Sequence, residues 1–113
     1  MKPIVIISPR FVKALSVIID IYAITLWPFI ISREEMSEDV LNHESIHIAQ
    51  QKELLVLFFY LLYGWDYLVG LIKYKDKEKA YYRIRFEQEA YENMYNQNYL
   101  SERKLYSWRK YKV

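Results

Sequence analysis

The scarcity of turn-forming residues limits what this chain can fold into. Its 113 residues include only two glycines and three prolines. These two residue types make most tight turns and interrupt most helices, so few tight turns are expected and helices should dominate. The length suggests one domain, residues 1–113, with a modest core. We therefore predict an α+β fold that is predominantly α-helical.

Five residues, His43-Glu44-Ser45-Ile46-His47, form an H-E-x-x-H motif that contains both histidines of the chain. On a helix, residues i and i+4 share a face, so the two imidazoles can reach one metal ion. Glu44 can then act on a metal-bound water. The alternative is a surface helix with two solvated histidines. A zinc site also needs a third ligand, which must come from elsewhere in the chain.

The helix that carries the motif is predicted to begin at about Glu38 and to run toward Tyr63. Ser37 is a good N-cap, and acidic residues in the first turn suit the positive end of a helix. Gln50 follows the histidines on the same side of this helix. It is a candidate hydrogen-bond partner for a metal-binding histidine, although a solvated glutamine would give the same pattern.

The third ligand is predicted from a second long helix, residues 77–98. Glu87 falls on its inward stripe, which otherwise consists of Ala80, Ile84, Tyr91 and Met94. Glu89 falls on the polar side. A carboxylate on the core-facing side is costly unless it is paired, and a metal ion held by two histidines is such a partner. The alternative is a buried salt bridge from Glu87 to Arg83 or Arg85.

The first of two apolar segments covers residues 14–31. We predict a helix over residues 10–20, then an edge strand, or two short strands joined at Trp27-Pro28. Ile4 to Ile7 is a further strand or an extended arm. The alternative for residues 14–31 is a membrane-spanning helix, which Asp20 and Pro28 argue against.

The second apolar segment, residues 54–72, is hydrophobic nearly all round. We predict two helical pieces that bend near Gly64 and lie buried in the core, with contact to lipid as the alternative. The tail, residues 100–113, mixes basic and aromatic side chains. This composition suits an interfacial membrane helix or an acidic partner, although a terminal helix docked by its aromatic residues is the more common case.

Charge and cysteine content exclude several classes. The net charge of +2 is too small to indicate a nucleic-acid partner, and none is expected. The absence of cysteine excludes disulfides and thiolate metal ligands, and leaves the redox compartment open. No positively charged leader with a cleavage site is evident. We expect a cytoplasmic protein, with membrane association as an open alternative.

Three stretches carry a family likeness: HESIHIAQQKELL, FYLLYG and AYYRIRFEQEAYEN. They resemble a group of small bacterial zincin-like proteins of the gluzincin type. There, an H-E-x-x-H-x-x-Q helix follows an "AIT…PFI" strand and precedes an F-E-x-E-A-Y segment. The likeness runs from about Ala23 to Asn98. More distantly, the chain is similar to gluzincin peptidases related to the membrane-bound CAAX-processing and heat-shock proteases.

This resemblance implies a minimal zincin-like fold and a site for Zn²⁺. It implies His43, His47 and Glu87 as the metal ligands and Glu44 as the general base. The ligand glutamate of the distant relatives lies in an E-x-x-A-D motif, and here Tyr91 replaces the aspartate. Tyr91 therefore takes the position of that aspartate and is a candidate to contact the ligands. It is also one of several tyrosines that could stabilise an oxyanion.

The implied function is a zinc-dependent metallopeptidase that hydrolyses peptide or protein substrates. We expect the strand at about residues 25–31 to line the cleft and to pair with an extended substrate. The alternative is a catalytically inactive zincin-fold module that binds a larger assembly or a membrane surface. Its aromatic surface and basic tail would then provide the contacts.

Overall fold

The computed structural model describes residues 3–15 and 23–113, and it confirms a predominantly helical α+β fold. Three strands lie in the first third of the chain: β1 (Ile4–Ile7), β2 (Ala23–Leu26) and β3 (Phe29–Ser32). The described helices are α1 (Pro9–Leu15), α2 (Glu38–Tyr74), α3 (Lys77–Tyr82), α4 (Arg85–Asn93) and α5 (Tyr99–Glu102), with a 3₁₀ turn at Ser107–Lys110.

The three strands form one sheet in the order β1-β3-β2. β3 pairs parallel with β1 and antiparallel with β2. The predicted pair of strands joined at Trp27-Pro28 is confirmed, and so is the strand at Ile4–Ile7. A spanning helix over residues 14–31 is wrong, because residues 23–32 form this hairpin. The helix predicted over residues 10–20 is confirmed as far as Leu15, and its remainder lies outside the described residues.

Hydrogen bonds to Gln51 of α2 fix the hairpin in place. The Gln51 amide donates to the main-chain oxygen of Thr25 over 2.6 Å. Its side-chain oxygen accepts from the main-chain N–H of Trp27, also over 2.6 Å. The Tyr60 hydroxyl donates to the same Thr25 oxygen. Because the Thr25 side chain also points inward and is buried, β2 is held with one defined face toward α2.

Helix α2 begins as predicted, with the Ser37 hydroxyl accepting a hydrogen bond from the Val40 N–H. It is broken at Leu55, whose backbone (φ 57°, ψ 148°) lies in a region that favours glycine. We call residues 38–54 the N-terminal arm and residues 56–74 the C-terminal arm. The bend predicted near Gly64 is wrong. The two arms contact each other across the break: the ring centroids of His47 and Phe59, for example, are 6.0 Å apart.

The C-terminal arm buries only one of its sides. Phe59 joins Ile84, Phe86 and Trp108 in the hydrophobic core, whereas most large apolar side chains of the other side are exposed. The prediction that residues 54–72 lie buried is therefore wrong for the outer side. Among the described residues, α2 is the one helix long and apolar enough to cross a membrane. Its most apolar stretch is 17% buried.

The helix predicted over residues 77–98 is interrupted, so that prediction is wrong in its continuity. α3 ends at Tyr82 and α4 begins at Arg85. The break is fixed by Asp66, which accepts hydrogen bonds from the main-chain N–H and the guanidinium of Arg85. α3 packs closely on α2, since a β-carbon added at Gly70 would lie 2.9 Å from the α-carbon of Ala80. The C-terminal tail docks on the hydrophobic core through Trp108, as expected if its aromatic residues hold it to the protein.

Candidate metal centre

Two imidazoles and one carboxylate meet between α2 and α4. The Nε2 atoms of His43 and His47 lie 3.0 and 3.1 Å from the same oxygen, Oε1 of Glu87. The three side chains are buried, with 4 to 5% of each residue exposed. One ligand atom from each residue falls within 4.8 Å of the others. The structure therefore brings together the three residues that the sequence singled out as metal ligands.

This geometry fits a divalent ion such as Zn²⁺. Zinc lies about 2.0–2.2 Å from imidazole nitrogen and carboxylate oxygen, so tetrahedral angles separate its ligand atoms by about 3.3 Å. The two nitrogen–oxygen separations, 3.0 and 3.1 Å, are close to this value, and all three ligand atoms lie within 4.8 Å of one another. Two histidines and one glutamate are also the donor set of a known class of catalytic zinc site, which keeps its fourth position open.

Without a metal, the same atoms form a buried ion pair. Burial lowers the pKa of His47, but the charge of Glu87 and its hydrogen bond more than offset this and raise the pKa to about 9. Burial raises the pKa of Glu87, but His47 and His43 outweigh it and hold the pKa well below its usual range. A proton on His47 therefore occupies the position that a metal ion would take.

Gln50 fixes the orientation of the His47 imidazole. Its amide nitrogen donates to the main-chain oxygen of Phe86 over 3.1 Å and to Glu89 over 3.0 Å. Because the amide hydrogens are used in this way, its oxygen faces Nδ1 of His47, 2.7 Å away. The hydrogen on Nδ1 is therefore held by Gln50. When His47 gives up its other proton, the lone pair of Nε2 is left for a metal ion. Metal-binding histidines commonly have such a partner, which agrees with the role predicted for Gln50.

Tyr63 fixes the orientation of the candidate third ligand. Its hydroxyl donates to Oε2 of Glu87 over 2.5 Å, so Oε1 is left to face the two imidazoles. Burial raises the pKa of Tyr63 well above its ordinary value, and the hydroxyl therefore remains a donor at neutral pH. Sequence reasoning missed Tyr63. No local signal identifies it, because the break at Leu55 brings it back to the histidines.

Glu44 is positioned by the hairpin. The Thr25 hydroxyl donates to Oε2 of Glu44 over 2.7 Å, and Glu44 itself is half-buried. The second carboxylate oxygen has no hydrogen-bond partner among the described residues and remains available to a water. Thr25 was also missed as a site residue. The only signal was a threonine within a strand predicted to line the cleft.

Tyr91 contacts the site through its ring. The ring packs edge-on against His43, with the centroids 4.3 Å apart. Its hydroxyl lies 2.9 Å from the hydroxyl of Tyr81, and burial raises the pKa of Tyr91 to about 12. Nδ1 of His43 is buried and has no hydrogen-bond partner among the described residues. Tyr91 is thus placed beside a predicted ligand, but it does not supply the carboxylate that an E-x-x-A-D motif would have there.

A charged network supports Gln50 from behind. Glu89 is fully buried and accepts hydrogen bonds from Gln50, from the Tyr99 hydroxyl (2.6 Å) and from Nε of Arg103 (2.5 Å). Arg103 also binds both oxygens of Glu53, each over 2.9 Å. Glu89 was predicted on the polar side of its helix, but that side is not exposed here, because the guanidinium of Arg103 from the C-terminal segment covers Glu89.

The salt bridges considered for Glu87 do not form. Arg85 instead binds both oxygens of Asp66, each over 2.8 Å. Arg83 donates to the main-chain oxygen of Lys112 over 2.8 Å. Glu87 is therefore paired with the two histidines, whereas Arg83 and Arg85 bind other partners.

The outer edge of β2 is not free for an extended substrate at its centre. The Thr25 oxygen and the Trp27 N–H, which would bind a further strand, already bind Gln51 and Tyr60 of α2. The expectation that this strand pairs with substrate is therefore wrong at these positions. A surface depression on α2 lies on the side opposite the histidines. It is lined by Glu38, Leu41, Asn42, Ser45 and Gln97.

Comparison of the chain with protein-family models, with curated proteins and with solved structures found no match. The site is therefore characterised by its own atoms: two histidines that share one carboxylate oxygen, and a further carboxylate, Glu44, which directly follows the first histidine on the same helix.

Proposed function

We propose that this chain is a zinc-dependent hydrolase of the metallopeptidase type. The observation that supports this most directly is the convergence of His43, His47 and Glu87 on one point, with Glu44 next to the first histidine. In this proposal His43, His47 and Glu87 hold the ion. Bound Zn²⁺ supplies Lewis-acid polarisation of a water and of the scissile carbonyl.

The chain's own groups carry the proton transfers. Glu44 takes a proton from the attacking water and passes it to the leaving amine. The Thr25 hydroxyl holds one oxygen of Glu44, which directs the other toward the water. Gln50 and Tyr63 hold His47 and Glu87 in fixed orientations, so little reorganisation is needed at the moment of reaction.

The first test is metal content. We expect about one equivalent of zinc in protein purified without chelator, measured by plasma mass spectrometry, because three protein ligands make a complete site. His43→Ala should lose the ion, since two ligands remain. Protein that contains no zinc under these conditions, and takes up none on dialysis, would contradict the proposal.

The second test separates chemistry from metal binding. Glu44→Gln should retain zinc and lose about 100-fold or more of the hydrolysis of a quenched fluorescent peptide library, because the general base is removed. Glu102→Gln is the matched control, since Glu102 is an exposed carboxylate on α5. Undiminished hydrolysis by Glu44→Gln would remove the mechanism.

A zincin-like module without catalysis is the second candidate. Two observations favour it: the three metal-site residues are at most 5% exposed, and the centre of the β2 edge is already bonded to α2. In this case zinc raises the melting temperature, and neither the wild type nor Glu44→Gln hydrolyses peptides. Either function is compatible with a protein that works at a cytoplasmic membrane surface.

A further inference from the structure

The C-terminal arm of α2 presents a continuous apolar stripe to solvent. We call it the outer stripe; it comprises Phe58, Leu61, Trp65, Leu68 and Ile72. These side chains are 49 to 71% exposed. Their spacing of alternately three and four residues places them on one side of the helix, over about 21 Å of its length. Exposed apolar stripes of this kind mark a surface that binds another apolar phase.

The opposite side of this arm is committed to the protein. Asp66 forms a bidentate ion pair with Arg85, and Tyr63 donates to Glu87. Phe59 packs on Phe86 with ring centroids 4.7 Å apart. A helix surrounded by lipid would lose these contacts and leave a buried aspartate unpaired. The arm therefore has one side for the protein and only one side that can meet an external partner.

A cluster of positive charge adjoins the end of the outer stripe. We call the cationic side chains of residues 73–83 and 109–113 the basic cluster. Lys73 donates to the main-chain oxygen of Val113 over 3.2 Å, and Arg83 donates to that of Lys112, which brings the two segments together. They hold eight of the chain's 16 Lys and Arg residues and two of its 14 Asp and Glu residues. The two segments thus carry a net +6, and the rest of the chain carries −4.

We propose that the outer stripe and the basic cluster form a docking face for the surface of an anionic lipid bilayer. The C-terminal arm lies in the plane of the interface, with its apolar side chains among the acyl chains and the basic cluster against the headgroups. Helices that bind membranes in this way combine an apolar face with lysine and arginine, and tryptophan favours the interfacial region. The proposal does not depend on metal binding or catalysis.

A second copy of the chain is a less suitable occupant. Parallel pairing of two outer stripes would place two clusters of net +6 side by side, which is unfavourable. The stripe also covers only two heptads, whereas a helical seam that pairs by itself is sustained over about three or four. A bilayer that carries negative charge satisfies both parts of the face at once.

Cosedimentation of the full chain with lipid vesicles tests this. We expect binding to roughly 3:1 phosphatidylcholine–phosphatidylglycerol vesicles at about 0.1 M salt, and much weaker binding to pure phosphatidylcholine or at about 0.5 M salt. Leu61→Ser/Leu68→Ser should weaken partitioning by about tenfold or more. Tyr95→Ser is the matched control, because Tyr95 is equally exposed (72%) but belongs to another part of the surface. Its neighbours Met94 and Asn96 accept hydrogen bonds from Asn42, near the start of α2.

Two further variants keep the test decisive if the leucine double variant misfolds. Lys75→Glu/Lys77→Glu should weaken binding by about fivefold or more for each lysine. Trp65→Phe should remove the part of the tryptophan fluorescence that brominated lipids quench. Equal binding by the wild type and by these variants would overturn the proposal. Two other results would also overturn it. One is a wild-type dimer that does not bind vesicles and that Leu61→Ser/Leu68→Ser dissociates. The other is protein that resists alkaline extraction from membranes, as a membrane-spanning helix does.

Discussion

The His47–Glu87 pair predicts different pH dependences of stability for the metal-free and the zinc-loaded protein. In the metal-free protein, the pKa of His47 is raised from 6.5 to about 9 despite its burial, because Glu87 stabilises the charged ring. A raised pKa contributes stability that is fully present below pH 6.5 and is lost as the pH rises through about 9. This pKa difference is worth about 3 kcal/mol of unfolding free energy.

Zinc offsets this dependence because it binds only the neutral ring. At pH 7 almost every His47 is protonated, so zinc must displace about one proton when it binds. The apparent zinc affinity should therefore rise about tenfold for each pH unit up to about pH 9. This rise in affinity, worth about 1.4 kcal/mol per pH unit, offsets the loss of the ion pair. At a fixed concentration of free zinc, the stability of the zinc-loaded protein should therefore change little between pH 6.5 and 9.

Two measurements check these expectations. Urea unfolding of chelator-treated protein at several pH values between 6 and about 9.5 gives the stability of the metal-free state. Calorimetric zinc titration in buffers of different ionisation enthalpy gives the number of protons released. His47→Gln is the control and should remove both effects. A metal-free stability that does not change between pH 6.5 and 9, together with zinc binding that releases no proton, would refute an ionised His47–Glu87 pair.

Four further substitutions test other parts of the structure. Gln50→Leu should lower zinc affinity by about 10- to 100-fold in a competitive chelator titration, because His47 loses its orienting acceptor. Arg103→Met should reduce the free energy of unfolding by about 3–5 kcal/mol in urea, because two buried carboxylates lose their cation; full stability would show that the network is not ionised. Gly70→Ala should destabilise by about 1–3 kcal/mol through a clash with α3, whereas Gly64→Ala, which has no atom within 4 Å of the added carbon, should stabilise by up to about 1 kcal/mol.

Features with short-range causes were predictable from sequence. The Ser37 cap, the helix through the H-E-x-x-H motif and the hairpin at Trp27-Pro28 each depend on a few neighbouring residues. The meeting of the two histidines with Glu87 was also expected. It followed from helical spacing together with the cost of burying an unpaired carboxylate.

Features with long-range causes were not predictable. Nothing at Leu55 indicates a break, since the contacts that hold it there join residues distant in the sequence. The burial of Glu89 on the polar side of its helix could not be foreseen, because the guanidinium that covers it comes from Arg103 in the C-terminal segment. The contact of Thr25 with Glu44 spans 19 positions and depends on how the hairpin docks on α2. In each case tertiary packing overrode the local pattern.

The break at Leu55 also restricts the number of residues that can separate the histidines from Tyr63. In a straight helix, His47 and Tyr63 would lie about 24 Å apart along the axis, too far to reach one carboxylate. One residue inserted after the break would rotate the C-terminal arm by about 100°. Tyr63 would then leave Glu87, and the outer stripe would turn toward the core. Insertions and deletions should therefore be tolerated better in the connections on either side of α2 than between His47 and Tyr63.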